Sequence, residues 1–487
     1  MRFAPGSDRI LDDAEVKAVV DYIFAILAEV GMRIESEKMC RRLAESGCQW
    51  DGKYGVRFPR ALMESFIERE RTPRDAPAPP PSREIVFYGT VGGYPLRWVD
   101  PVDSKVKMQT FRSTVDLMRL ADYIPSIDAI GSVGVPSDIP PQLQPFFMRL
   151  VNWRYTTKLS NTYVIWDLAL CPFIVEFCQA MSDMEPGEGR MERWFRANNY
   201  LVSPLRYQRE SAAEFMWFRE RGYRCTIGNL PSLGGTAPVT IAGGVGLALA
   251  ETLAIAYIMN VFYGDKGLSI ATVIAPLDMR TGSMPYGRPE QLLTALAQRD
   301  ICRYLGTQDE FSFSTPCAAK DTDVECGITQ GFAAGLSIPI FGKSQWAFGK
   351  FSTDEVIDPR MMVIQNDFIG GVRRFAEGVR VDRETLPLVV VKEVGPGGTF
   401  LSHPHTAEHY REELWTPRLA SGENIEAWTS GGRVTILEKA RREVLRILAD
   451  HHPRRMKAET EERLLSLIEG FAANLGVADY RRPELPE

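Results

Sequence analysis

Tyr163-Val164-Ile165-Trp166, a helical run over residues 171–181, Asn199-Tyr200-Leu201-Val202-Ser203, a second helical run over 210–222, and Cys225-Thr226-Ile227-Gly228 together decide the fold. Each apolar, β-branched run of about five residues is followed by a longer stretch with helical spacing. That alternation predicts a parallel sheet with crossover helices. It extends outward in both directions. Upstream lie a helix over 115–123 and a short apolar run over 129–135 that ends at Pro136. Downstream, 237–263 reads as a long apolar helix, and 268–274, 290–305 and 335–340 continue the series. The number of units approaches eight, which favours a closed (β/α)8, TIM-like barrel over an open sheet.

The flanks have a different pattern. Val16, Val19, Val20, Ile23, Phe24, Ile26, Leu27 and Val30 give residues 13–30 one broad apolar helical face. A shorter helix over 36–45, a strand-like stub at 56–59 and a helix over 61–69 follow. Residues 72–81 carry five prolines in ten positions and form a stiff connector. Strands are expected at 84–88 and 96–99, around Gly92-Gly93. Near the end, 432–450 and 458–475 are amphipathic helices joined by the basic turn His451-His452-Pro453-Arg454-Arg455. The expected organisation is an N-terminal helical and β extension over 1–95, a barrel over 96–430 and a C-terminal helical segment over 431–487.

The chain has 487 residues, a net charge of −6, 45% hydrophobic and 25% charged residues, which is ordinary for a soluble globular protein. An acidic balance speaks against a general nucleic-acid binder, which needs a basic face to displace counterions. Residues 1–8 show no apolar leader. Eight cysteines, none in a C-x-x-C pair, suggest reduced thiols and a cytoplasmic setting. Residues 237–263 hold one charge, Glu251. Length alone admits a membrane span, but the glycines at one end and the central Glu favour a buried helix, with no membrane partner.

Several stretches are candidates for chemistry. Gly244-Val245-Gly246 superficially resembles a dinucleotide loop, but Pro238 breaks the strand that must precede one. His403, His405 and His409 lie close together; a metal would need further ligands, so the expectation is no metal and polar substrate contact by His405. The alternative is a structural role at the following helix. Lys320-Asp321-Thr322-Asp323-Val324-Glu325-Cys326-Gly327 reads as a charged loop after the strand-like run 311–314, either a solvated turn or part of a barrel mouth. Trp346, Phe348 and Phe351 cluster within residues 344–351, beside Gly342 and Gly349. Aromatics are more often core than cage, but with Tyr94 they are the candidates for holding a cation by cation–π contact.

Taken together these stretches resemble the trimethylamine methyltransferase superfamily, in its members without pyrrolysine, which include glycine betaine:corrinoid methyltransferases. Gly234-Gly235-Thr236-Ala237-Pro238-Val239-Thr240-Ile241-Ala242-Gly243 with Glu251 is similar to the family's G-x-T-A-P-V-T-x-A-G…E. Lys320-x-x-Asp323-x-Glu325-Cys326-Gly327 is similar to K-x-x-D-x-Q-A-G, with Glu and Cys where Gln and Ala are usual. Asp278-x-x-Thr281-Gly282, residues 352–358, residues 394–401, and His405-Thr406 through Trp415-x-Pro417 also match.

The resemblance implies a TIM-like barrel that moves a methyl group from a methylated amine to cob(I)alamin on a separate corrinoid protein, with no tightly bound cofactor. It makes Glu251 and Glu325 the candidate catalytic carboxylates. A quaternary, glycine betaine-like amine is the expected substrate, because its loss of methyl releases a neutral amine and needs no general acid. Glu325 is the residue to watch as an acid if a tertiary amine reacts. A homo-oligomer is expected. The competing readings are a non-catalytic betaine- or methylamine-binding barrel and a metal-dependent hydrolase.

Overall fold

The computed structural model describes residues 9–71, 86–160, 163–164, 167–184, 195, 197–307, 317–341, 343–453, 456–478 and 480–486. The proline connector 72–81, the run 311–314, Ile165-Trp166, Gly342 and Arg454-Arg455 lie outside these residues.

The Asp12 side chain starts the first helix, Asp13–Ala25. It accepts from Glu15 N at 2.8 Å, while Glu15 returns a carboxylate to Asp12 N. The helix continues as a π-helical turn, Ile26–Val30, and stops at Gly31 with φ 71°. A Cβ there would lie 2.2 Å from the Val56 carbonyl oxygen, so this close approach requires glycine. Helices Glu37–Glu45 and Arg60–Glu70 follow.

The N-terminal unit is tied to the rest. Its strand Met32–Ile34 pairs antiparallel with Gly55–Arg57 but parallel with Arg206–Tyr207. Asp300 Oδ2 accepts from Ile10 N and Leu11 N, at 2.9 and 3.0 Å.

The expected alternation of strands and helices is present. Lys343–Ala347, Val86–Val91, Ala129–Ile130 and Leu159–Ser160 form one parallel ladder in that order. Tyr163–Val164, Ala197–Tyr200 and Cys225–Gly228 form a second. Ser232–Leu233 and Ala275–Pro276 form a third. The expected closure differs: among the described residues the three ladders do not join into a closed barrel.

The sequence around the sixth unit explains part of this. The strand expected over 268–274 is irregular, held by side chains instead of a ladder. Thr272 N donates to Gln298 Oε1 at 2.9 Å and Thr272 Oγ1 to Asn229 Oδ1 at 2.7 Å. Pro276 has no N–H to extend the pairing. A second correction concerns 335–340, which is part of a helix, Val324–Phe341, and not a strand. Glu325, Cys326 and Gly327, expected in a loop, occupy its first turns.

Ile241–Tyr263 is the one described helix long and apolar enough to cross a membrane. It is packed inside the protein, with Glu251 fully buried. The C-terminal helices form as their periodicity predicts. Ile436–Asp450 packs on Pro359–Glu377 and Phe111–Tyr123, and Ala458–Asn474 on Cys171–Met184. Buried Arg119 donates to the Leu448 and His451 carbonyls, a cation at a helix C-terminus where the dipole favours it.

Candidate functional site at the strand ends

The strand Val86–Val91 ends in Gly92, Gly93 and Tyr94, all at positive φ (153°, 112° and 62°). A Cβ on Gly92 would lie 3.3 Å from the Gly131 Cα, and one on Gly93 would lie 2.8 Å from Lys350 Nζ. The two glycines therefore let the chain turn against its neighbours and leave room for the lysine. Tyr94 emerges from this turn to line a cavity of about 620 Å3, with Leu96, Val135, Met148, Arg149 and Asp167 among its other walls. Arg149 is buried, and its Nη1 donates to the Pro145 carbonyl at 2.9 Å.

A hairpin, Lys350–Phe351 against Val356–Ile357, lies beside this turn, with Lys350 Nζ next to Gly93; none of its residues lines the cavity. Between its strands Ser352, Thr353 and Asp354 are left-handed at φ 51°, 55° and 69°. Non-glycine residues in this region each cost about 1 kcal/mol or more, so surrounding bonds must hold them. Ser352 N donates to Ala319 O at 3.0 Å and Thr353 N to Cys317 O at 3.1 Å. Thr353 Oγ1 donates to Met284 O at 3.1 Å, and Lys320 Nζ to Ser352 Oγ at 3.0 Å. Pinned in this way, the turn places Asp354 Oδ1 2.9 Å from Lys350 Nζ.

Two further tyrosines lie near this hairpin turn, outside the cavity lining. Tyr286 is buried, and burial, the Asp354 charge and Tyr200 push its hydroxyl up to about 12, so it stays a neutral phenol. Tyr200, at the end of its strand, lies over Gly228, where a Cβ would meet the ring at 2.7 Å. The turn therefore sets the buried Tyr286 phenol near an acid matched by an amine, while the acid in the cavity wall itself, Asp167, accepts from Ala169 N at 2.8 Å.

The expected site residues do not gather in one place. Glu251 sits beneath the strand ends. It accepts from Ser203 Oγ (2.8 Å), Leu205 N (2.7 Å) and Asn229 Nδ2 (2.9 Å), and burial raises its pKa. It thus braces the loops that follow two strands. Glu325 is exposed in the first turn of Val324–Phe341 and lines neither large cavity. Phe348 and Phe351 are core residues, 0% and 1% exposed, and line neither cavity. The Phe348 ring packs against Gly89, where a Cβ would lie 2.9 Å from it, and the hairpin turns Phe351 into the interior.

Trp346 lines a different, apolar cavity of about 590 Å3 between helices Val324–Phe341 and Pro359–Glu377, closed at one side by Trp415. Its Nε1 has no hydrogen-bond partner among the described residues. His405 lies on helix Pro404–Glu413, which has no buried residue, its ring centroid 4.5 Å from that of His409. The helix is capped by His403, whose Nδ1 accepts from His405 N at 3.1 Å. Among the described residues no group of three His, Cys, Asp or Glu side chains is placed to hold a metal ion.

Of the five expected substrate residues only Tyr94 reaches the strand-end cavity. Lys350, Asp354, Tyr200, Tyr286 and Arg149 were not anticipated. The available signal was positional: each of the first four follows a strand of the series.

The profile of the trimethylamine methyltransferase (MTTB) family matches residues 5–476. The chain belongs to this family. Relatives within the trimethylamine methyltransferase family cover it almost end to end. One is the trimethylamine methyltransferase MttB of Desulfitobacterium hafniense (strain DSM 10664 / DCB-2), 21% identical over 96% of this chain and 94% of that protein. Another is the glycine betaine methyltransferase of Desulfitobacterium hafniense (strain Y51), 22% identical over 94% and 96%. Trimethylamine methyltransferase MttB of Methanosarcina thermophila is 20% identical over 92% and 95%. Among solved structures, the Methanosarcina barkeri monomethylamine methyltransferase MtmB superposes at a TM-score of 0.39 with 11% identity, over 90% of this chain and 92% of that one. The expected enzyme class, a methyltransferase, is the class this family names.

Proposed function

We propose that this methyltransferase takes a methyl group from a quaternary amine of the glycine betaine type and delivers it to a separate corrinoid protein, at the cavity rimmed by Tyr94. The observation that carries the reading is the cavity lined by Tyr94 and Arg149, beside a turn where Gly93 packs on Lys350, itself ion-paired with Asp354 near Tyr286. Aromatic faces hold a trimethylammonium group with modest strength. The positive charge on nitrogen disperses as the methyl leaves, so a bare carboxylate would stabilise the ground state more than the transition state. Pairing Asp354 with Lys350 removes that penalty.

Arg149 replaces His405 as the proposed anchor for the substrate carboxylate, because it lines the same cavity as Tyr94. The relatives named for trimethylamine and for glycine betaine are nearly equally similar, so leaving-group chemistry must choose between them. A tertiary amine requires an acid at nitrogen. Tyr286 is a weaker acid than free tyrosine, and Glu325 lies outside the cavity.

The corrinoid partner supplies the nucleophilic cob(I)alamin. Exposed apolar residues on the loops beyond the strand ends fit a docking face for it: Leu96, Leu230, Val239 and Met279. The residues of this chain bind the cation, orient one N–CH3 bond towards the open end and keep water out. The finer fold reading is a (β/α)8-like wrap, supported by the parallel pairing of the last strand, Lys343–Ala347, with the first, Val86–Val91. Three helices between 388 and 430 lack any buried residue, and Val379, Val389 and Leu401 nearby are exposed, which supports a homo-oligomer. Eight free buried cysteines support a reducing, cytoplasmic setting.

The test is turnover of glycine betaine, other quaternary amines and trimethylamine with one corrinoid acceptor at one pH. Methylcobalamin should form fastest from a quaternary amine. Faster turnover of trimethylamine than of every quaternary amine would overturn the proposal.

A further inference from the structure

Cys317 and Cys326 stand apart from the other thiols. Their Sγ atoms are 3.1 Å apart, and both residues are buried. A disulfide needs about 2.05 Å between sulfurs, so the two need to approach by only about 1 Å. Cys326 occupies the first helical turn of Val324–Phe341, its N–H donating to Asp323 Oδ1 at 3.2 Å.

Burial pushes the thiols of Cys40, Cys48, Cys171, Cys178 and Cys225 up, which makes them unreactive. Cys317 is held below its ordinary value by the hydrogen bond it shares with Cys326. Gly327, the next residue after Cys326, lines the cavity between the two helices, which brings solvent within one residue of the pair.

The pair is also bonded to the turn beside the proposed site. The Cys317 carbonyl accepts from Thr353 N, and the Ala319 carbonyl from Ser352 N. These are two of the bonds that hold the left-handed turn carrying Asp354.

We propose that Cys317 and Cys326 are an oxidative modification site, closed to a disulfide by a peroxide, and that closing it displaces the turn that presents Asp354 to Lys350. The Cys317 thiolate attacks the peroxide O–O bond, giving a sulfenic acid and hydroxide (water, for hydrogen peroxide, once protonated). The Cys326 sulfur then attacks the sulfenic sulfur, the S–S bond forms, and a second water leaves. Two thiols lose two electrons and two protons, and hydrogen peroxide gains both to become two waters. A dithiol reductant reverses the bond. The functional consequence rests on the proposed methyl transfer: a reaction that needs Co(I) cannot proceed in oxidant, and the switch would shut the enzyme under the same condition.

The experiment treats the full-length protein with hydrogen peroxide, then alkylates it in denaturant and measures intact mass and peptide map. The expected result is loss of two hydrogens, a 317–326 cross-link and reversal by a dithiol, with the other six cysteines alkylated. C326A and C317A should each abolish the cross-link. Cys317 and Cys326 both remaining alkylatable, or Cys317 over-oxidising without a cross-link, would overturn the site. In the methyl-transfer assay, oxidised wild type should lose turnover severalfold while peroxide-treated C326A keeps it. A cross-link that leaves turnover unchanged would overturn the coupling to the turn. The mass readout requires no substrate, so failure of the proposed function would show separately, as absent turnover in the reduced protein.

Discussion

Glu214 makes the protein's stability depend on pH in a way that one substitution should remove. Its side chain is 6% exposed on helix Arg209–Glu220. Oε2 accepts from Asn199 Nδ2 at 3.2 Å, and Oε1 has no partner among the described residues. Burial pushes its pKa up from 4.5 to about 7, against a smaller opposing effect from the Asn199 bond. The sign follows from linkage. Below pH 4.5 the carboxyl is protonated in folded and unfolded chains alike, and it costs nothing. As pH rises towards 7 the unfolded chain ionises freely while the folded one resists, so stability falls.

Each pH unit between the two values is worth 1.36 kcal/mol, so the loss is about 3 kcal/mol by pH 8. Against a usual folding free energy of about 5–15 kcal/mol that is large. E214Q keeps the shape and the Asn199 bond and carries no charge. Urea unfolding at pH 5, 6, 7 and 8 at constant ionic strength measures the effect. Variant and wild type should have similar midpoints at pH 5, and E214Q should be more stable by about 2–3 kcal/mol at pH 8. Equal midpoints at pH 8, or a difference that does not change with pH, would refute the argument.

E251A should lower stability by about 3–5 kcal/mol, since it strands three buried donors and leaves a cavity; thermal unfolding checks it, and a fall in turnover with an unchanged melting point would instead make Glu251 catalytic. K350M leaves Asp354 unpaired beside the cation, so KM for a quaternary amine should fall together with kcat; a rise in KM would remove the pair from the site. Y94A should weaken quaternary amine binding by about 0.5–2 kcal/mol in calorimetry, whereas W346A, in the other cavity, should not change the affinity of folded protein. R149K should raise KM for carboxylated substrates more than for amines without a carboxylate, because lysine cannot reproduce a two-pronged guanidinium contact; equal effects would refute the anchor.

The elements with one dominant local signal could be read from the sequence. The apolar periodicity of 13–30, the short helical run over 36–45 and the unbroken apolar stretch ending at Tyr263 each fix an element within a few residues. Residues 335–340 could not be read in this way, because a short apolar run has no period of its own; the helix there is set by its start at Val324, eleven residues earlier. The site was harder. Clustering of Trp346, Phe348 and Phe351 in sequence suggested a cage, yet a hairpin distributes neighbours between core and cavity. Nothing in Ser352-Thr353-Asp354 announces three left-handed residues, since no glycine marks them. Their conformation is imposed by carbonyls from Met284, Cys317 and Ala319, which are distant in sequence.

The acids around the strand ends each have a partner before any substrate arrives, although Asp167, in the cavity wall, has only the backbone N–H of Ala169 at 2.8 Å among the described residues. Asp354 has Lys350. Asp278 has Arg280 and Arg288, which hold its carboxyl well below the usual range. Glu251 is enclosed with three donors and faces no cavity. A protein built only to bind a cation tightly would leave one such carboxylate unpaired, because direct charge attraction in a dry site exceeds any aromatic contact. A protein that must release the methyl group faces the opposite demand, since every increment of attraction specific to the starting cation adds to the barrier. Under the proposed function Tyr286, kept neutral beside the paired Asp354, meets that demand. A transferase and a non-catalytic binder of the same amine could share every strand and helix, so under that proposal the difference between them lies in how the acids near the cavity, Asp354 and Asp167, are partnered.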